Sequence, residues 1–379
     1  MSALVGRYLV PFSVVPLSPA NVSKVGRTLL AAYQSNDEAL ALPSAVGIDV
    51  SDACNIACAV CSREIDWDKR HTSILKFEDF VRLYEPIRPV YLSLSGYGET
   101  LLNKHLPRMV AHATAAGSRV NIVTNGTLLD AGRAHALVEA GLAKMKVSID
   151  AADPDVYATV RAGADLEQVL RNIERLVALR DANRKPGPQI EIQFVLFQGN
   201  VDQVCKLIEL CHHRLPGIEP NLLVMFTYGE QADFVAKTIP FGDPTALDEL
   251  RRARVLAEGY GFRRTVGSID AAIVQLTRDL ASAPCYVPWY SCLISTDGEV
   301  YPCCYHSIRG TSVGNALQEP FADIWNGPRM RAFRAQLRVK RCADKVCATC
   351  RYEDAPMDRV FNAVAKVPGL GRGSARFGG

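Results

Sequence analysis

Between residues 45 and 227 the chain alternates short runs of β-branched and aliphatic residues with longer segments whose apolar positions recur every three or four residues. The runs Ala45–Val50, Val90–Ser95, Val120–Thr124, Lys146–Ile149, Ile190–Phe197 and Leu222–Phe226 read as strands. Phe77–Tyr84, His105–Ala116, Asp130–Glu139, Leu166–Ala182 and Val201–Cys211 read as helices. The fourth helix is the clearest, because Leu166, Val169, Leu170, Ile173, Leu176 and Val177 form one stripe. Strands alternating with helices predict parallel βαβ units. About six such units suit an incomplete α/β barrel or an open doubly wound sheet, and periodicity alone does not choose between them.

In both architectures the carboxyl ends of the strands form the ligand face. That places Ser95–Glu99, Thr124–Gly126 and Ser148–Asp150 on one rim, with Cys54 just beyond the first strand. Before the barrel, Ser18–Gln34 reads as a helix. After it, Leu247, Leu250, Val255 and Leu256 suggest one amphipathic helix in a connector. The expected divisions are an N-terminal extension (1–44), a core (45–239), a helical connector (240–280), a Cys-rich unit (281–355) and a flexible Gly-rich tail (356–379).

Composition narrows the classes. The 379 residues are 48% hydrophobic and carry a net charge of +3, which excludes wholesale disorder and gives no strong pull toward nucleic acid. No apolar run reaches the length of a membrane span, and Arg7, Pro11, Pro16 and Pro19 interrupt the only signal-like stretch. A cytoplasmic location follows as the expectation. There, grouped cysteines bind metal or do redox chemistry more often than they form disulfides.

The 12 cysteines are grouped. Cys54, Cys58 and Cys61 form a C-x3-C-x2-C run. Cys285, Cys292, Cys303, Cys304, Cys342, Cys347 and Cys350 crowd the last quarter, and Cys205 and Cys211 read as core residues. Three thiolates on one loop can hold three irons of a four-iron cluster and leave one iron open; a structural zinc with a distant fourth ligand is the alternative. The second set opens on a hairpin signal at Asp297-Gly298 and ends in a C-x2-C pair, which also suits a zinc ribbon.

At the first cysteine run the sequence resembles the radical S-adenosylmethionine (SAM) enzymes. That resemblance implies a partial (β/α)6 TIM-like barrel and a cluster whose open iron is chelated by SAM. It further implies reductive cleavage of SAM to a 5′-deoxyadenosyl radical that takes a hydrogen atom from substrate. By the same resemblance, Gly96, Gly98, Glu99, Thr124, Asn125, Ser148, Asp150 and Arg161 are the cofactor-binding residues: the glycines admit the methionyl group and Glu99 accepts from its amine. Ser148 and Asp150 face the ribose, and Arg161 pairs with the carboxylate. Two positions depart from the family pattern: Val60 stands where an aromatic residue usually packs near adenine, and Thr100 where proline is common.

The segment from Cys285 resembles the SPASM/Twitch extension of these enzymes. Cys285, Gly298 and Cys303 fit its first element, and no cysteine follows Cys350. One auxiliary [4Fe–4S] cluster held by Cys285, Cys303, Cys347 and Cys350 is therefore implied, making two clusters in all. Cys292 or Cys342 could replace a ligand, and Cys304 should point opposite to Cys303 if the segment is extended. The first expectation for the reaction is oxidation of a small polar substrate, a sugar or aminocyclitol alcohol, with the auxiliary cluster as electron acceptor. The alternatives are epimerisation with Cys304 or Cys292 as hydrogen donor, and crosslinking of a ribosomal peptide. The 44 residues ahead of the first strand disfavour the peptide, being short for a leader-binding domain. A flavodoxin- or ferredoxin-type protein is the expected electron donor, and Arg63–Arg70 could line the barrel mouth.

Overall fold

The computed structural model describes residues 19–34, 36–39, 41–61, 63, 72–182, 187–225, 235–278, 285–339, 346–347 and 350. Cys342, the segment 64–70 and the tail 356–379 lie outside the described residues.

Six parallel strands form the core: β1 (Ala45–Asp49), β2 (Tyr91–Ser95), β3 (Arg119–Thr124), β4 (Lys144–Ser148), β5 (Gln189–Leu196) and β6 (Pro220–Val224). Three more follow late in the chain: β7 (Ser291–Ile294), β8 (Glu299–Tyr301) and β9 (Gly314–Asn315). All nine make one sheet in the order β9-β8-β7-β1-β2-β3-β4-β5-β6. Helices α1 (Pro19–Gln34), α2 (Phe77–Tyr84), α3 (Leu106–Ala115), α4 (Ala131–Glu139), α5 (Leu166–Ala182), α6 (Gln203–Arg214), α7 (Pro244–Gly259), α8 (Arg263–Thr277) and α9 (Pro328–Val339) complete the frame. The partial TIM-like barrel is borne out, as strands and helices alternate through β6.

Alternation in the strands sorts the two faces of the sheet. Val46, Ile48, Leu92, Leu94, Val120, Ile122, Met145, Val147, Ile190 and Ile192 are buried in the main core with the apolar stripes of the helices. Val147 and Val169 of α5 both stand within van der Waals reach of Gly126. The other face carries Gly47, Asp49, Ser93, Ser95, Asn121, Lys144, Lys146, Glu191 and Gln193. This lumen is polar.

Two features differ from the expectations. The connector holds two helices, α7 and α8; Val255, assigned to the apolar stripe, is 70% exposed. The Cys-rich unit, given its own division above, also shares the core's sheet. Its first strand, β7, pairs parallel with β1 (Ala45 opposite Ser291) and extends the barrel sheet. The Asp297-Gly298 turn is as expected: Gly298 sits at φ 89°, and a Cβ there would press on Leu317 and Asn315. The N-terminal extension anchors this unit. Trp289 Nε1 donates to Asn36 O, Trp325 Nε1 to Ala41 O, and buried Arg334 donates to Pro288 O and Asp37 O while its guanidinium lies over the Trp325 ring. No helix among the described residues is long and apolar enough to cross a membrane.

Candidate active site

The first cysteine loop leaves β1 at Val50 and is held by backbone on both sides. Val50 N donates to Ser95 O, Asp52 N to Ser73 O, and buried Arg63 Nε to Asp52 O. Gly98 N donates to Ser51 O and Glu99 N to Ala53 O (3.0 and 2.7 Å). This explains the glycines: a Cβ on Gly96 would lie 2.4 Å from Ser51 O, and one on Gly98 2.0 Å from Ala53 O. In this structure their smallness seats the cysteine loop against the β2 turn, a role the sequence reading did not assign them.

Glu99 is engaged within the protein. Its carboxylate accepts from Leu101 N (2.9 Å), Thr124 Oγ1 (2.5 Å) and Asn125 N (2.7 Å), tying the turns after β2 and β3 together. Burial raises its pKa, and these three donors oppose the rise. Asn125 Nδ2 donates to Asn55 Oδ1, and Asn55 Nδ2 to Thr127 Oγ1, so the Thr124–Thr127 turn also grips the cysteine loop.

Asp150 and Arg161, expected to face the ribose and the carboxylate of SAM, are each other's partners. Arg161 Nε lies 2.8 Å and Nη2 2.6 Å from Asp150 Oδ2, with both side chains buried; Asp150 Oδ1 accepts from Val195 N. Arg161 and Ala162 pair with Ala57 and Cys58 in a short antiparallel ribbon, so the guanidinium sits beside Cys58. Burial pushes the Cys58 thiol up to about 12, and Arg161 draws it back. Ser148 lies on the lumen face opposite Gln193. Val60 packs against Val160, Phe197 and Met225, so the apolar shelf at the missing aromatic position includes an aromatic from another strand end.

The second set surrounds a cavity of about 310 Å³, lined by Cys285, Cys292, Cys303, Cys304, Cys347 and Cys350, and also by Gly47, Ser93 and Ser95 of the barrel. Cys303 and Cys304 do not point to opposite sides. Residues 302–305 form a turn rather than extended chain, so both border the same space. Burial and the neighbouring Cys304 and Cys285 raise the Cys303 thiol. Buried His306 places Nε2 3.6 Å from Cys347 Sγ. Cys292 is buried in the main core, as is Cys211, and Cys205 packs against that core half-buried.

The two sets communicate through hydrogen bonds. Tyr97, between Gly96 and Gly98, pairs its hydroxyl with Ser307 Oγ (2.5 Å), which donates to Cys304 O. Thr296 Oγ1 of the hairpin donates to Asp52 Oδ2.

None of the described cysteines is in a disulfide. No three Cys, His, Asp or Glu among the described residues gather closely enough to hold a single metal ion. Three cysteines on one loop and six around one cavity are a donor set suited to iron–sulfur clusters.

Sequence reasoning missed Lys146, Glu191, Phe197 and His306. The first two were hidden because polar positions in a strand read as solvent-facing, whereas here they face a lumen.

Residues 48–211 match the Radical SAM superfamily, and residues 285–351 match SPASM, an iron–sulfur cluster-binding domain. These domains imply SAM and two iron–sulfur clusters as cofactors, and the zinc alternatives fall away. The chain is 27% identical over 320 residues to a PqqA peptide cyclase from Streptomyces rochei, covering 83% of each protein. It is 26% identical over 339 residues to an AdoMet-dependent heme synthase from Methanosarcina barkeri (strain Fusaro / DSM 804), covering 82% of this chain and 91% of that protein. The structure of Streptococcus suis SuiB bound to S-adenosylmethionine superposes with a TM-score of 0.61 at 16% identity, covering 94% of this chain and 85% of that one, which shows a shared fold.

Proposed function

The chain belongs to the radical SAM superfamily and carries a C-terminal SPASM iron–sulfur domain, and on that premise we propose that it oxidatively modifies a peptide side chain. Cys54, Cys58 and Cys61 hold three irons of a first [4Fe–4S] cluster. Cys285, Cys303, Cys347 and Cys350 hold a second one. Bound there, the first cluster and SAM would supply a radical able to take a hydrogen atom from substrate, and the second cluster would supply an acceptor for the electron left once a proton departs. A flavodoxin or ferredoxin supplies the initiating electron.

The chain's own residues hold this chemistry in place. Gly96 and Gly98 fix the first cysteine loop, Glu99 locks the turns after β2 and β3 together, and Asp150 orients Arg161 beside Cys58. The observation that carries the oxidative reading is the continuity of the cavity: cysteines of the second set and Ser93 and Ser95 of the lumen line one space. An electron leaving a substrate in the lumen has a short route to the second site. A peptide substrate is supported by the relative named as a peptide cyclase, which aligns over 83% of both chains. This reverses the order of the sequence expectations. The polar lumen favours, as a second reading, a small alcohol oxidised by the same steps.

The test is an anaerobic reaction of the reduced enzyme with SAM and a candidate precursor peptide. Oxidation predicts one 5′-deoxyadenosine per product and a product lighter by two hydrogens. A product of unchanged mass in H2O that gains one deuterium at carbon in D2O would overturn it and point to Cys304, which borders the cavity, as hydrogen donor.

A further inference from the structure

The lumen holds a charge that the protein does not use. Lys144, Lys146 and Ser148 share the inner face of β4, and Gln189, Glu191 and Gln193 stand opposite them on β5. Glu191 is committed to Lys144: its Oε2 lies 2.5 Å from Lys144 Nζ. Lys146 has no hydrogen bond or ion pair of its own among the described residues, and neither Ser148 nor the Gln193 side chain has a hydrogen-bond partner there.

Burial lowers the pKa of Lys146; Glu191 opposes this and Lys144 adds to it. Lys146 is half-buried, and an ammonium that gives up part of its hydration without gaining a hydrogen-bonded partner carries a cost. A cation held in a lumen in this way is suited to pair with an entering anion. The group's depth fits a substrate. Lys146 lies one inward position below Ser148, so at about 3.3 Å per residue it sits roughly 7 Å deeper than the strand end, where SAM is expected. Gln193, one inward position nearer the strand end on β5, adds an amide, the pattern of a few polar groups fixing a ligand's orientation.

We propose that Lys146, with Gln193, forms an anion subsite in the barrel lumen that takes a carboxylate of the substrate. This deepens the functional reading above and rests on the lumen being the substrate site. A substrate side chain or terminus ending in a carboxylate would be anchored there, with the carbons next to it held between Lys146 and the strand-end rim. Lys146 is a positioning residue, since the pair it completes orients the substrate and does no bond-breaking.

The probe is glutarate, titrated by anaerobic calorimetry into the reconstituted holoenzyme saturated with SAM, beside its uncharged counterpart glutaramide. A hydrogen-bonded charge pair predicts glutarate binding at least about tenfold tighter than glutaramide. Lys146→Met removes that preference, Lys146→Arg retains most of it, and Lys206→Met, a change at an exposed helical lysine, leaves it intact. Equal binding of glutarate and glutaramide by the wild type overturns the subsite, as does an unchanged preference in Lys146→Met. Should Lys146→Met fail to fold, the wild-type comparison and Lys146→Arg still decide. A carboxylate preference in an enzyme that yields no oxidised peptide upholds the subsite and sinks only the reaction. An oxidised peptide without any carboxylate preference does the reverse.

Discussion

The two cysteine sets are built by opposite means. Cys54, Cys58 and Cys61 sit within eight consecutive residues. Their loop is placed by local contacts: the β2 turn against Ser51 and Ala53, the Arg161 ribbon against Cys58, and Asn55 against the Thr124–Thr127 turn. Cys285, Cys292, Cys303, Cys304, Cys347 and Cys350 come from segments up to 65 residues apart, and meet only because β7 joins the barrel sheet. The first set offers three thiols in a scaffold that leaves a fourth position to a ligand. The second offers six thiols and a histidine, more than one cluster needs. A short loop with too few donors suits a site that must bind something else, and a surplus of donors suits a site that must stay closed.

Four changes would break or sharpen this contrast. The largest effect is expected of Cys58→Ala, which should reduce the reconstituted enzyme from about eight irons to about four and abolish 5′-deoxyadenosine formation. Retained cleavage of SAM would contradict the assignment of the first set. Cys347→Ala should also remove about four irons but leave SAM cleavage without substrate in place, while product formation is lost. An unchanged iron count would show that another donor, Cys304 or His306, closes the second site.

Gly98→Ala should act on the first set alone. Its Cβ meets backbone, which cannot move aside cheaply, so stability falls by about 3 kcal/mol and SAM binding weakens, while the irons of the second site remain. Thermal unfolding and SAM titration would read both effects.

The smallest effect concerns Asp49, at the end of β1 between the two sets. Burial, with Asp52 and Asp297 nearby, pushes its carboxyl up to about 8. Because the folded value lies above the unfolded one, the folded state holds the extra proton. The stabilisation is therefore complete below about pH 4 and is lost as pH rises through about 8. Asp49→Asn should accordingly raise the unfolding temperature at pH 8 and change it little at pH 4. Parallel curves for the two proteins would refute the raised value.

How much of this was legible in the sequence follows the same division. The helices Phe77–Tyr84 and Leu166–Ala182 match to the residue, because their apolar stripes are local and complete. Helix α8 was lost: it buries Thr265, Ile269, Ala272 and Leu276, a stripe in which small and polar residues dilute the pattern. The cysteine loop, the glycine turn and the Asp297-Gly298 hairpin were legible because spacing and turn chemistry encode them. The pairing of β7 with β1 was not, since a strand's choice of a distant neighbour leaves no local mark. The partners of Asp150, Arg161 and Glu99 were hidden for the same reason. A resemblance assigned them to SAM, while the folded chain pairs Asp150 with Arg161 and holds Glu99 with Leu101, Thr124 and Asn125.

The most direct test of the contrast is electron paramagnetic resonance of the reduced enzyme, recorded before and after SAM is added. Two clusters in unlike settings predict two overlapping signals, of which one shifts with SAM and disappears in Cys58→Ala, while the other is indifferent to SAM and disappears in Cys347→Ala. A spectrum in which both signals shift, or neither does, would contradict the division between an open first site and a closed second one.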